Sequence, residues 1–229
     1  MKPITAGLLL TLLLLSLCWD APRTQLLQDI DTVSLSDAVH ELAARGSNFG
    51  VIVALQNGDS EELLPLQSFF QRTRPLQQRR VPNQPAREVL ASIHPAAVTE
   101  AEGIPILRDP AAAFCGELLE QIVPFDIEST PEGTCMKALA QVTGQQLSEG
   151  LVGSCMPASV GLPERRFVTK GGRTLLSVLS SAAARQRGTG WVAVEARGSC
   201  SFGLVEVAAS GSVCLVTMGQ PVTAPDAER

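Results

Sequence analysis

Apolar residues recur at helical spacing in four segments of the chain. In the first, residues 34–46, they fall at i, i+3, i+4, i+7 and i+8, which is the stripe of an amphipathic helix. Ser34 followed by Asp37 predicts the cap that opens this helix, and Gly46 predicts its end. The expected buried face consists of Leu35, Ala38, Val39, Leu42 and Ala43.

Three more helices follow from the same pattern and from their flanking residues. Helices typically begin after a threonine cap or with a proline in the first turn, and they typically end at a glycine. They also end before a proline, because the residue that precedes proline disfavours the helical conformation. The predicted helices are residues 85–94 before Pro95, residues 130–144 between Thr130 and Gly144, and a helix after Gly171 and Gly172 with its apolar stripe at Leu175, Val178, Leu179 and Ala182.

Apolar runs of strand length accompany these helices. They are residues 49–55, 97–107 around a Glu-Gly turn, 122–127, 151–156, 165–169 and 190–196, and a final hairpin of 201–208 with 212–218. In the run 122–127, Val123, Phe125 and Ile127 alternate as the inward-facing residues of a half-buried strand. The order strand, helix, strand, strand, helix, strand therefore occurs twice. We expect an α+β fold of two small modules, each a short sheet with two helices packed on one face. The predicted domains are residues 30–108, a connecting helix at 109–121, residues 122–219 with the C-terminal hairpin, and a polar tail at 220–229.

The N-terminus has the pattern of a secretory signal peptide. A short positive start at Met1-Lys2 precedes an apolar run at residues 6–17, which is too short to span a bilayer. Small residues at Ser16 and Cys18 predict cleavage after Cys18, so residues 1–18 are the expected leader. The alternative is a lipoprotein acylated at Cys18, which Leu17 disfavours by its size. We expect a secreted or periplasmic protein.

Five cysteines remain after the leader, and an oxidising compartment allows them to pair. Because their number is odd, one thiol stays unpaired or bonds to a partner. We expect Cys135 to bond to Cys155, since the helix that carries Cys135 should pack on the strand that follows it. Cys200 with Cys214 is the second candidate pair, although a tight turn at Ser210-Gly211 sets Cys214 nearer Glu206, and Cys115 is the expected free thiol.

Composition and motifs narrow the chemistry. Eighteen Lys and Arg residues against 23 Asp and Glu residues give a net charge of −5, which argues against a general nucleic-acid binder. We find no phosphate-binding loop, nucleophile elbow or zinc-binding motif. The helical neighbours of His40 are Asp37 and Glu41, which are more simply interpreted as solvated charges than as partners of a catalytic base, and His94 only ends a helix before Pro95. Trp191 fits a core position better than a ligand-stacking one. We therefore predict no catalytic, cofactor-binding or metal-ligating residue and no cofactor.

The segment 69–87 is the most unusual in composition, with five arginines and no acid. It is interpreted either as a solvated loop or as the contact surface for an acidic partner, since arginine binds carboxylates through paired hydrogen bonds. A further alternative, in a eukaryotic precursor, is proteolytic processing at Arg79-Arg80. The candidate contact residues are Phe69, Phe70, Arg72, Arg74, Arg79 and Arg80.

Several of these segments resemble the short N-terminal module of secretins and TonB-dependent proteins. Residues 33–53 (VSLSDAVHELAARGSNFGVIV) and 124–145 (PFDIESTPEGTCMKALAQVTGQ) look like its opening, with an Ala-Leu pair on a capped helix. Residues 94–110 (HPAAVTEAEGIPILRDP) and 171–195 (GGRTLLSVLSSAAARQRGTGWVAVE) look like its second half. The resemblance implies tandem modules used for periplasmic docking or signalling, and it transfers no functional residue.

Two functions follow as hypotheses. The first is a secreted, periplasmic, non-enzymatic protein that docks to an envelope partner, with no nucleic acid bound and no transmembrane segment in the mature chain. The second is a secreted hydrolase whose site is assembled from distant residues between the modules. A pocket that brings His40 or His94 together with carboxylates and a Ser or Cys favours the hydrolase, whereas scattered polar groups favour docking.

Overall fold

A seven-stranded mixed sheet organises the chain in the computed structural model, which describes residues 30–55, 65–71, 84–94, 97–145, 166–207 and 212–224. In chain order the helices are α1 (Thr32–Ala44), α2 (Pro65–Phe70), α3 (Ala86–Ile93), α4 (Ala113–Glu120), α5 (Pro131–Thr143) and α6 (Leu175–Arg185). The strands are β1 (Phe49–Ala54), β2 (Val98–Ala101), β3 (Ile104–Arg108), β4 (Ile122–Val123), β5 (Ile127–Ser129), β6 (Phe167–Thr169), β7 (Arg173–Thr174), β8 (Gly190–Ala196), β9 (Ser199–Val207), β10 (Val213–Thr217) and β11 (Val222–Thr223).

The main sheet has a parallel centre and antiparallel flanks. Its order is β10-β9-β8-β1-β3-β2, and β11 also pairs with β9. β1 runs parallel to both neighbours, so that Gly50 lies opposite Ile106 on β3 and opposite Trp191 on β8. The continuous apolar sequence of β1 suits this position, because a strand with neighbours on both edges and helices on both faces has no solvent-facing side.

Helices cover both faces of this sheet. Ile52, Ile106 and Trp191 share one face, and they belong to a core cluster that also contains apolar residues of α4, α5 and α6. The opposite face packs against α1, α2 and α3, which contact β2, β3, β8, β9 and β10 between them. The result is a three-layer arrangement of helices, sheet and helices.

The α+β class is confirmed, but the structure does not show two separate modules. β1 belongs to the first predicted module and β8 to the second, and the two strands pair in parallel from Phe49–Gly190 to Ala54–Glu195. Residues 31–229 form one compact unit without a division at the predicted connecting helix. Helices therefore lie on both faces of one shared sheet, instead of on one face of each of two sheets.

A second β element lies outside the main sheet. β4 pairs with β7, and β5 pairs with β6, both antiparallel. The two short pairings follow one another along the same two chain segments, residues 122–129 and 167–174, which we call the ribbon. α5 contacts β4, β5 and β6, so it packs along the ribbon.

Most helix boundaries agree with the local signals. α5 begins after Thr130, whose hydroxyl accepts from the Gly133 N–H, and it ends at Gly144 with φ +68°. α1 begins earlier than predicted, since the carboxylate of Asp31, and not Ser34, accepts the first N–H groups. α2 was not predicted. The predicted leader 1–18 and strand 151–156 lie outside the described residues.

The disulfide predictions are wrong for the described cysteines. Cys115 of α4 bonds to Cys200 of β9, with their Cα atoms 5.4 Å apart, and Cys135 is free. α4 packs against β9, and the disulfide joins residues 85 positions apart in the chain. The prediction considered only the packing of α5 on the strand that follows it, so it did not reveal this distant contact. Cys214 is disulfide-bonded to neither Cys200 nor Cys135, and it lies opposite Glu206 as the turn geometry predicted. Cys155 lies outside the described residues.

Candidate docking surface

Large apolar side chains are exposed on the ribbon. In the part of the chain that the structure describes, they are Ile122, Phe125 and Val168, with 53%, 48% and 53% of their surface exposed. Two of them belong to the paired strands, and Phe125 lies between β4 and β5. Scattered single apolar residues are ordinary on a protein surface, whereas a group of three on one element is a candidate contact site.

Strand alternation explains why these side chains face outward. Val123 and Ile127 are buried, and so are Thr169, which pairs with Ile127, and Phe167, which pairs with Ser129. Successive side chains of a strand point to opposite faces, so Ile122 and Val168 project away from the core. α5 contacts β4, β5 and β6 on the inner face, whereas Ile122 and Val168 on the outer face are exposed.

Phe125 is exposed because the ribbon is not paired at its centre. Pro124 has no backbone N–H to donate to a neighbouring strand. Across from it, Gly171 passes so close to the Phe125 backbone that a Cβ at residue 171 would lie 2.7 Å from the Phe125 Cα. The prediction that Phe125 alternates inward with Val123 and Ile127 is therefore wrong.

Ion pairs join the two segments of the ribbon beside the apolar group. Lys170 Nζ lies 2.8 Å from Asp126 Oδ2, and Arg166 Nη1 lies 3.3 Å from Glu128 Oε1. The Lys170 ammonium, followed by the Gly171 N–H, lowers the pKa of Asp126, while Asp126 raises the pKa of Lys170. Both acids lie on the first segment and both bases on the second, so the apolar residues have a charged border. We call this outer face of the ribbon the docking surface.

The predicted contact residues are not part of the docking surface. Phe69 of α2 is fully buried, so its prediction as an exposed anchor is wrong. Phe70 is half-buried and stacks on His40, with the ring centroids 4.0 Å apart. The remaining predicted contact residues, Arg72, Arg74, Arg79 and Arg80, lie outside the described residues.

Neither histidine belongs to a catalytic arrangement among the described residues. His40 Nδ1 lies 2.9 Å from the Ser36 carbonyl oxygen, and burial lowers its pKa. His94 is buried, and its Nδ1 has no hydrogen-bond partner. A general base needs a nucleophile within hydrogen-bond reach and a group that orients it, and neither ring has both.

Cys135 is the free thiol of the described chain, and it lines a small pocket beside α6. Its wall includes Pro131, Ala182 and Leu204, and the space within it is too small to hold a water molecule or a ligand. Burial, together with the nearby charges of Glu132 and Glu206, raises the pKa of the Cys135 thiol far above its usual range, so the thiol is protonated and unreactive at neutral pH.

Within the described ranges, no group of three or more His, Cys, Asp or Glu side chains is arranged to hold a metal ion. None of the helices described has both the length and the apolar character needed to cross a bilayer.

Comparisons with known proteins give no relative. No protein-family model, no curated protein and no solved structure matches the chain.

Proposed function

We propose that this chain is a secreted, periplasmic, non-enzymatic protein that docks to another envelope protein through the docking surface. One observation carries this proposal. The exposed large apolar side chains of the described residues, Ile122, Phe125 and Val168, all lie on one ribbon. An apolar centre with an aromatic anchor and a charged border is the composition of protein–protein interfaces.

Three further observations support secretion and docking. The Cys115–Cys200 disulfide is consistent with folding in an oxidising compartment. The pattern of residues 1–18 is that of a leader. The resemblance to the N-terminal modules of secretins and TonB-dependent proteins also points to docking in the periplasm.

Docking is favoured over the hydrolase alternative by the positions of the candidate catalytic groups. Among the described residues, His40 contacts the Ser36 carbonyl oxygen and His94 Nδ1 has no hydrogen-bond partner, so neither ring is seen to pair with a carboxylate there. The Cys135 thiol is buried and protonated. The polar groups are thus scattered among the described residues, which is the outcome expected of a docking protein.

Site-specific photo-crosslinking in the native envelope tests this function. A photoreactive amino acid at residue 125 or 168 should give one discrete crosslinked protein. The same amino acid at Glu117, an exposed residue of α4, is the matched control and should give none.

A second variant separates contact from proximity. Phe125→Ser removes the aromatic anchor from an exposed position, so the fold should survive while the crosslink from residue 168 is lost. Equal crosslinking from residue 117, or a residue 168 crosslink that Phe125→Ser leaves unchanged, would show that the docking surface is not the contact.

A further inference from the structure

Several hydrogen-bond donors converge on the carboxylate of Glu102, at the tip of the β2–β3 hairpin. Arg173 of β7 forms an ion pair with Glu102 Oε1 over 2.5 Å. Ser177 of α6 donates its hydroxyl hydrogen to the same oxygen over 2.6 Å. Ser181 lies close enough to join Ser177 and Arg173 in lowering the pKa of Glu102, with Ser177 the largest cause.

The donors are held in place by one another. Arg173 Nη2 donates to Ser177 Oγ over 2.7 Å and to Ser181 Oγ over 2.8 Å. Arg173 Nη1 lies 3.4 Å from Thr169 Oγ1. We call Thr169, Arg173, Ser177 and Ser181 the Arg173 cradle.

The cradle residues come from one stretch of the chain, to which Glu102 does not belong. Ser177 and Ser181 lie four residues apart on one side of α6, and Arg173 precedes this helix in β7. Thr169 belongs to β6, just before them in the chain. Glu102 comes from a distant part of the sequence and brings only its carboxylate to these donors.

Glu102 itself occupies an unfavourable backbone conformation. Its φ is +54°, and that of Gly103 is +77°, so the hairpin turn requires two left-handed residues. Gly, Asn and Asp are the usual residues there, and an L-residue with a long side chain is rare. The turn conformation therefore does not favour glutamate at this position, and the carboxylate of Glu102 reaches the cradle from it.

The carboxylate is also only partly enclosed. The Glu102 side chain is 37% exposed, and Arg173 is 29% exposed. Arg173 and Ser177 both contact Oε1. The cradle thus holds the carboxylate through this oxygen, while part of the Glu102 side chain stays in solvent.

We infer that the Arg173 cradle is an oxyanion-binding site that the chain's own Glu102 carboxylate fills in this structure. An external carboxylate or phosphate takes the same donors when Glu102 leaves. Both groups offer negatively charged oxygens to a guanidinium and to hydroxyl hydrogens, which is the chemistry of charge-assisted hydrogen bonding. As long as Glu102 is tethered beside the cradle, an external anion competes with a high local concentration of carboxylate.

The experiment empties the site and titrates it with small anions. Glu102→Gly removes the carboxylate and suits the positive φ of the turn. Isothermal titration of this variant with acetate and with inorganic phosphate, at constant ionic strength, should show saturable binding at least about tenfold tighter than to the wild-type protein. Its Tm should rise with anion concentration, whereas that of the wild type should not.

Two further variants complete the test. Glu102→Gln keeps the side-chain length if glycine loosens the hairpin, and it should also bind anions more tightly than the wild type. Adding Arg173→Gln to either variant should abolish binding. Preference for acetate identifies the ligand class as a carboxylate, and preference for phosphate identifies it as a phosphate. If both folded Glu102 variants bind neither anion saturably, or if binding survives loss of Arg173, the inference is wrong.

Discussion

Trp191 fills the middle of the sheet because the residue opposite it has no side chain. Gly50 of β1 faces Trp191 of β8. A Cβ at residue 50 would overlap the indole ring of Trp191, at 2.6 Å from its Cε2 atom. Trp191 is fully buried, as expected from the sequence. The sequence shows that residue 50 is a glycine, but it does not show why. The reason is Trp191, on a partner strand about 140 residues away.

Gly50→Ala should therefore destabilise the protein, by about 1–3 kcal/mol, as an added methyl group in a packed core does. Without the clash, alanine in place of glycine would stabilise the chain by about 0.4–1 kcal/mol through the unfolded state, so the sign of the change is diagnostic. Urea unfolding of the variant and the wild type measures it. In a Trp191→Phe background the smaller ring should reduce the cost of Gly50→Ala, and an unchanged cost there would contradict the clash.

Cys135 should be chemically silent in the folded protein. The thiol is buried, and burial raises its pKa, so little thiolate forms at neutral pH. Native protein treated with iodoacetamide should carry no label on the peptide containing Cys135, and protein treated in guanidinium chloride should carry a full label there. Label on Cys135 of the native protein would show that α5, which carries this residue, opens readily.

At the scale of single elements, the sequence predicted those features that neighbouring residues decide. Thr130, Pro131 and Gly144 bound α5 as predicted, because a cap and a left-handed closing residue act within one turn of the helix. The Glu-Gly turn between β2 and β3 was likewise predicted from two adjacent residues. α2 was missed because its segment, PLQSFF, is too short to show a helical period.

The candidate site was missed for a related reason. Simple alternation placed Phe125 inside with Val123 and Ile127, but Pro124 and Gly171 interrupt the ribbon at its centre. Pro124 was a visible signal of that interruption. Gly171 was not, because the close approach of two backbones depends on the pairing of segments more than 40 residues apart.

The β2–β3 hairpin should contribute a pH-dependent part of stability through Glu102. Hydrogen bonds from Ser177 and Arg173 lower the pKa of Glu102 in the folded protein. A lowered folded pKa means that the carboxylate stabilises the fold above the unfolded pKa, and that this contribution disappears as pH falls through the folded value. Glu102→Gln should thus cost up to about 1 kcal/mol near pH 7, as expected for a partly exposed ion pair, and progressively less below about pH 4.3.

Urea unfolding across this pH range checks the dependence. Glu100→Gln is the matched control on the same hairpin, because its ion pair with Arg87 is longer, at 3.6 Å, and mostly exposed. The control should have a smaller effect at neutral pH. A pH-independent cost for Glu102→Gln would mean that the residue acts through the turn conformation, and not through its charge.

At the scale of the whole molecule, the two halves of the sequence form one folding unit. The sequence indicated most of the described helices and strands of each half, with α2, β7 and β11 missed, and the α+β class follows from them. It did not indicate that β1 pairs with β8, or that α4 is bonded to β9 through Cys115 and Cys200. Pairing between distant strands leaves no periodic signal along the chain, so two repeated strand and helix orders were interpreted as two modules.

A fragment of the first predicted module should consequently fail to fold alone. Residues 31–112 contain β1, β2 and β3 with α1, α2 and α3, but they lack β8, so one edge of β1 would lose its hydrogen-bond partner. They also lack α4, α5 and α6, so the face with Ile52 and Ile106 would be exposed to water.

We expect the 31–112 fragment to show poor amide dispersion by NMR and no cooperative transition in urea, whereas residues 31–224 should unfold in a single transition. The longer fragment is the control because it keeps the complete sheet and both helix layers. A dispersed spectrum and a cooperative transition for 31–112 would show that the first half is an independent domain. The pairing of β1 with β8 would then be an interface between two folded modules, and the stability of each half would be unaffected by substitutions in the other.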